Sequence, residues 1–169
     1  MIRLLVLDVD GVLTDGGLHY GPDGEQLKRF NVRDGLGIKL LMAAGVQVAI
    51  VSGRDSAALR ARATDLGIAH IAAGVADKQA AVLALQEQLV VTPDETAAMG
   101  DDLPDLSLFA RAALRLAPAD AEPELRAAAD LVVARAGGHG AVRDAAHHIL
   151  ALNGAPPPAG DAETRTLHG

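Results

Sequence analysis

The sequence contains no cysteine and no tryptophan, and only one tyrosine and two phenylalanines among its 169 residues. The first absence excludes disulfide bonds and thiolate chemistry. The scarcity of aromatics leaves the core to Ala, Val, Leu and Ile, which suits closely packed layers of sheet and helix. Hydrophobic residues still make up 50% of the chain, enough at this length for one domain with a sizeable core. Positive charge is also short: 15 Lys and Arg stand against 22 Asp and Glu, a formal net charge of −7. That balance argues against a nucleic-acid partner, and an anionic ligand would have to find its positive charge locally. No apolar run is long enough to span a bilayer. The N-terminus lacks the basic, apolar and cleavage regions of a signal peptide. A cytoplasmic protein without membrane contact is therefore expected.

What is present is a rhythm of short apolar runs. "RLLVLDV", "VQVAIVS", "IAHIAAG", "TAAMG", "ALRLA" and "DLVVA" read as strands buried on both faces. Helical stretches separate them. Asp34 is the expected cap of a helix over Gly35–Ala44 closed by Gly45, and a second spans Asp55–Leu66 before Gly67. Others are expected over Asp77–Leu89, Pro104–Ala110, Glu122–Ala128 and Ala141–Leu152. Such alternation predicts an α/β fold, a three-layer, Rossmann-like parallel sheet with helices on both faces. "GLHYGPDGEQLKRF" breaks the rhythm: a Gly-Pro-Asp-Gly turn between two extended pieces reads as a β-hairpin, a flap over about 17–31. The expected domain is 1–154, followed by a tail over 155–169 whose composition is that of a mobile segment.

Polar residues gather where the strands end, and in an open parallel sheet ligands bind beyond the carboxyl ends of the strands. "VLDVDGVLTDG" places Asp8 and Asp10 straight after the first run. Ser52 follows the second in "VSGR", Lys78 opens a helix in "ADKQ", and "GDDLPD" at 100–105 follows "TAAM". Each alone has a plain reading, as a helix cap, a turn or a solvated charge. Four segments delivered to one edge in this order favour phosphoryl transfer. The paired carboxylates of Asp8 and Asp10 together with Asp101 can hold a hard divalent cation, with Mg²⁺ expected, although Asp10 need not bind through its side chain. Asp8 can attack phosphorus to form an acyl phosphate. Asp10 can protonate the leaving alcohol and later activate water. Ser52 and nearby backbone N–H groups can donate to phosphate oxygens while Lys78 stabilises charge. Asp102 and Asp105 suit a supporting role behind the metal, orienting Asp101 or Lys78. Gly137, Gly138 and Gly140 make a turn before the last helix, and His147 and His148 read as structural or exposed.

These motifs resemble those of the haloacid dehalogenase-like superfamily of phosphatases over nearly the whole chain. "DVDGVLTDG", "EQLKRFNVRDGLGI", "VSGR", "DK", "GDDLPD" and "GGHGAVRD" look like its 3-deoxy-D-manno-octulosonate 8-phosphate (KDO 8-phosphate) phosphatase family. The resemblance implies Asp8 as nucleophile, Asp10 as acid/base, Ser52 as phosphate-binding residue, Lys78 as charge stabiliser and Asp101 as metal ligand. It adds the backbone carbonyl of Asp10 to the metal set. It implies Mg²⁺ as cofactor, a role in lipopolysaccharide precursor synthesis and a homotetramer. Gly53, Arg54, Lys28, Arg33, Gly138 and Arg143 are the candidates for contact with the sugar, Arg54 as the partner of its carboxylate. No room exists between Asp15 and Arg33 for a cap domain, so the hairpin is expected to cap the active site of a neighbouring subunit. The competing readings are a phosphatase for a nonulosonic acid 9-phosphate, a phosphotransferase or dehalogenase of the superfamily, and a non-catalytic oligomerisation module. A dehalogenase has no alkoxide to protonate and no use for Asp10, and a module has no need of Asp8, Asp10, Lys78 and Asp101 together.

Overall fold

The computed structural model describes residues 1–155. The expected tail lies outside the described residues apart from Ala155. Strand β1 (Leu4–Leu7) is followed by a hairpin of β2 (His19–Gly21) and β3 (Gly24–Leu27), then by α1 (Val32–Ala43) and β4 (Gln47–Ser52). Next come α2 (Ala57–Leu66), β5 (His70–Ala73), α3 (Lys78–Leu89) and β6 (Thr96–Met99). The chain continues through α4 (Leu106–Phe109), β7 (Leu114–Ala117), α5 (Pro123–Ala128), β8 (Leu131–Val132) and α6 (Ala141–Leu152).

Six strands form one parallel sheet in the order β5-β4-β1-β6-β7-β8. β1 is central because every one of its residues is apolar and buried, which only an interior strand permits. Its side chains alternate between two cores. Leu5 and Leu7 pack with Ile38, Leu41 and Ile149 on the α1/α6 face, while Leu4 and Val6 pack with Val82, Leu108 and Leu125 on the α3/α4/α5 face. The chain proceeds from β1 to β4 on one side and reaches β6 on the other. The strand order thus reverses beside β1, and a crevice opens beyond its carboxyl end.

Three helices depart from the sequence expectation by more than one residue. α1 starts at Val32, capped by Asn31, whose side chain accepts from Arg33 N. Asp34 instead lies buried in the first turn and reaches across to α6, where it accepts from the N–H groups of Gly140 and Arg143 at 3.2 and 3.1 Å. α2 starts at Ala57 because Ser56 is its cap, accepting from Leu59 N, while Asp55 pairs with Arg60. The expected helix over Pro104–Ala110 is a 3₁₀ turn, Leu103–Asp105, followed by the single-turn α4. The hairpin forms around the Gly-Pro-Asp-Gly turn, with an irregularity between His19 and Tyr20.

Candidate active site

Asp8 prolongs the β1–β6 ladder: its N–H donates to Met99 O at 3.1 Å. The carboxylate therefore starts from a fixed backbone at the crevice, and the residue is only 6% exposed. Gly11 takes φ +87, and a Cβ there would lie 1.9 Å from Asp101 Oδ2. The glycine of "DVDG" thus does two things, turning the chain out of the sheet and giving Asp101 room against the β1 loop. Thr14, buried in the same loop, accepts from the N–H groups of Gly11 and Gly16 and donates to Val9 O. Gly137, from the turn before α6, presses on this loop so closely that a Cβ would meet Gly11 O at 1.8 Å. Gly138 N donates to Val12 O.

Lys78 enters as the first residue of α3, which Asp77 caps by accepting from Ala80 N. Its ammonium donates to Asp8 Oδ1 at 2.8 Å and to Asp105 Oδ1 at 2.6 Å. Asp105 accepts from Asp101 N through its other oxygen. It thereby orients both Lys78 and the "GDD" loop, and Asp102 caps the turn that carries it by accepting from Leu103 N. Ser52 ends β4, and its hydroxyl accepts from Arg54 N at 3.1 Å. A cavity of about 370 Å³ is bounded by Asp8, Asp10, Ser52, Gly53, Arg54, Lys78, Asp101, Asp102 and Asp105, with Leu18, just before β2, also lining it.

The charge in this cavity is lopsided. Burial, then the Asp105 carboxylate, pushes the Asp8 pKa up to about 6 against the pull of Lys78. Burial, then Asp8, Asp105 and Asp102, pushes Asp101 up to about 8. Burial opposes the Lys78 ammonium, but Asp8 and Asp105 outweigh it and raise its pKa. Oxygens of Asp8, Asp101 and Asp105 lie within 4.8 Å of one another. An all-oxygen donor set with more negative charge than its ammonium balances fits a hard divalent cation. Asp105 already spends one oxygen on Lys78 and the other on Asp101 N. Asp8 and Asp101 are thus the carboxylates with capacity to spare.

The hairpin contributes a contact that the sequence did not announce. Lys28, its side chain 1% exposed, donates to Asp10 Oδ1 at 2.5 Å and forms an ion pair with Glu25 Oε1 at 2.7 Å. Burial works against this ammonium, but the two carboxylates carry its pKa above the ordinary value. Of the other expected sugar contacts, Gly53 and Arg54 border the cavity, whereas Arg33, Gly138 and Arg143 are not among the residues bounding it. Arg33 is exposed on α1. Gly138 O accepts from the Asn31 side chain. Arg143 Nε donates to His147, which gives that histidine its place on α6. Sequence reasoning missed Thr14, Glu25 and the buttress at Gly137. Thr14 lies inside the quoted "DGVLTDG", yet a threonine in a turn carries no signal of its own.

Known proteins resemble this chain in sequence and fold. A family model for haloacid dehalogenase-like hydrolases matches residues 60–144. The 3-deoxy-D-manno-octulosonate 8-phosphate phosphatase KdsC of Haemophilus influenzae is 48% identical over 153 residues, covering 90% of this chain and 85% of its own. KdsC of Escherichia coli K12 is 44% identical, covering 90% of this chain and 81% of its own. The solved 3-deoxy-D-manno-octulosonate 8-phosphate phosphatase of Moraxella catarrhalis, in complex with magnesium ion, phosphate ion and KDO, superposes with a TM-score of 0.85. It is 39% identical, over 89% of this chain and 86% of that one.

Proposed function

The chain belongs to the KDO 8-phosphate phosphatases of the haloacid dehalogenase-like hydrolases, and from that membership we propose that it hydrolyses KDO 8-phosphate to KDO and phosphate with Mg²⁺. The observation that carries the reading is the meeting of Asp8, Asp10, Ser52, Lys78 and Asp101 around one cavity at the strand-order reversal. Asp8 and Asp101, with the Asp10 carbonyl, would hold the cation. When bound, it offsets the paired carboxylates and draws charge from the phosphoryl oxygens.

Asp8 attacks phosphorus and the bond to the sugar oxygen breaks, leaving an acyl phosphate on Asp8. Asp10 gives its proton to the departing alkoxide. It then takes a proton from water, whose oxygen attacks the same phosphorus, releasing phosphate and restoring the Asp8 carboxylate. Lys78 and Ser52 hold the phosphoryl oxygens, with Asp105 fixing the ammonium from behind. We assign the sugar acid to Lys28, which is bonded to Asp10, and Arg54, which is on the cavity wall.

Residues 1–154 form the phosphatase domain, with 17–31 as its flap. Leu18, Tyr20 and Leu27 of the flap are 41%, 65% and 52% exposed, an apolar surface suited to burial against a neighbouring subunit. A homotetramer in which each flap caps a neighbouring site would bury it. None of the helices among the described residues is long and apolar enough to cross a membrane. A cytoplasmic enzyme supplying a lipopolysaccharide sugar is the cellular role that fits this reading. Phosphate release is the test, assayed with and without Mg²⁺ on KDO 8-phosphate, N-acylneuraminate 9-phosphate and simple hexose phosphates. Mg²⁺-dependent turnover with KDO 8-phosphate foremost is expected, and preference for the nine-carbon substrate would overturn the choice of sugar.

A further inference from the structure

The proposed substrate carries a carboxylate besides its phosphate, and the role of Glu25 rests on that choice of substrate. Two cations stand close together on different elements: Lys28, just past β3 and bonded to the cavity residue Asp10, and Arg54, just past β4 on the cavity wall. Glu25 lies between them. Its Oε1 is 2.7 Å from Lys28 Nζ, and its Oε2 is 3.7 Å from Arg54 Nη1. One carboxylate oxygen is thus turned to each cation, as a bridging ligand carboxylate would be. The Glu25 side chain is 14% exposed. A glutamate on a two-stranded hairpin loses hydration and rotamer freedom in such a position, so it stays there only through the ion pairs that hold it.

We propose that Glu25 is a resident carboxylate that occupies the Lys28–Arg54 pair until the carboxylate of the substrate displaces it. Glu25 is then a specificity-determining residue. A sugar acid exchanges its own carboxylate for that of Glu25, and the exchange sets how tightly it binds. A phosphate ester without a carboxylate has nothing to exchange and is held by its phosphate alone. Lys28 keeps its separate bond to Asp10 throughout, so the exchange acts on binding rather than on the proton transfers at Asp10.

Steady-state kinetics of Glu25→Gln and Glu25→Asp on KDO 8-phosphate and on p-nitrophenyl phosphate test the proposal. Neutralising the resident carboxylate removes the anion that competes for Lys28 and Arg54, so the ratio of KM for the sugar acid to KM for the aryl ester should fall about fivefold in Glu25→Gln, the scale of a partly exposed ion pair. Glu25→Asp keeps the charge and should keep the ratio near that of the unaltered protein. An unchanged or raised ratio in Glu25→Gln would overturn the proposal, as would the same fall in Glu25→Asp. An unaltered protein that cleaves the aryl ester but not KDO 8-phosphate would instead overturn the substrate reading, and this proposal with it.

Discussion

Asp8 and Ser52 stand at the ends of strands buried in the sheet and Lys78 at the start of α3, whereas the hairpin of β2 and β3 reaches the cavity residues Asp10 and Arg54 through ion pairs of Lys28 and Glu25. On the first side, Asp8 is tied by its backbone to Met99 and by its carboxylate to Lys78, which Asp105 holds in turn. On the second side, Tyr20 and Leu27 are mostly exposed, and among the described residues the strands pair only with each other. Such a hairpin is marginal by itself. The difference mirrors the chemistry. Attack on a phosphate ester needs groups fixed to fractions of an ångström, which a parallel sheet provides. Choosing among sugars needs side chains that reach over the substrate and can yield to it.

The most severe way to break the fixed side is Asp8→Asn. The amide is nearly the same shape but cannot form the acyl phosphate, so phosphate release should fall at least ~10⁴-fold on every substrate while the circular dichroism spectrum is retained. Activity near that of the unaltered protein would remove Asp8 from the nucleophile role. Gly137→Ala attacks the same side from behind. Its Cβ would press on Gly11 O, displacing the loop between Asp10 and Thr14. Turnover should drop about 10²-fold, the cost of misplacing reacting groups by about an ångström. The overpacked turn should lose about 3 kcal/mol, or about 10 °C in Tm. A variant that melts and turns over normally would mean that the loop is not buttressed there. Arg54→Glu leaves the fixed side intact and sets a carboxylate where the sugar acid needs a cation. It should lower kcat/KM for KDO 8-phosphate about tenfold more than for p-nitrophenyl phosphate. Equal losses would assign Arg54 to the phosphate instead.

The fixed side is also the legible one. Strands buried on both faces leave continuous apolar runs, and the polar residues just past them mark the sheet edge, so β1, β4 and β6 bring their site residues with them. Helix starts are harder to read because neighbouring capping residues compete. Asn31 caps where the sequence points to Asp34, Ser56 caps a helix expected to begin at Asp55, and Asp34 serves a helix turn 106 residues away. No local pattern encodes a bond of that range. The hairpin is visible through its Gly-Pro-Asp-Gly turn, and Lys28 is a candidate, but the contacts that matter are not. Lys28 meets Asp10 and Glu25 meets Arg54 only once the flap folds over the crevice. Charged side chains on a short exposed hairpin look alike until then.

The central claim is that the strand ends carry the phosphate chemistry and the hairpin carries the choice of sugar. It is tested most directly by deleting residues 18–30 and measuring kcat/KM on KDO 8-phosphate and on p-nitrophenyl phosphate side by side. With circular dichroism confirming the remaining fold, the account predicts a fall of about 10²-fold or more on the sugar phosphate and less than about tenfold on the aryl ester. Equal falls on the two substrates, or full activity retained on both, would contradict it.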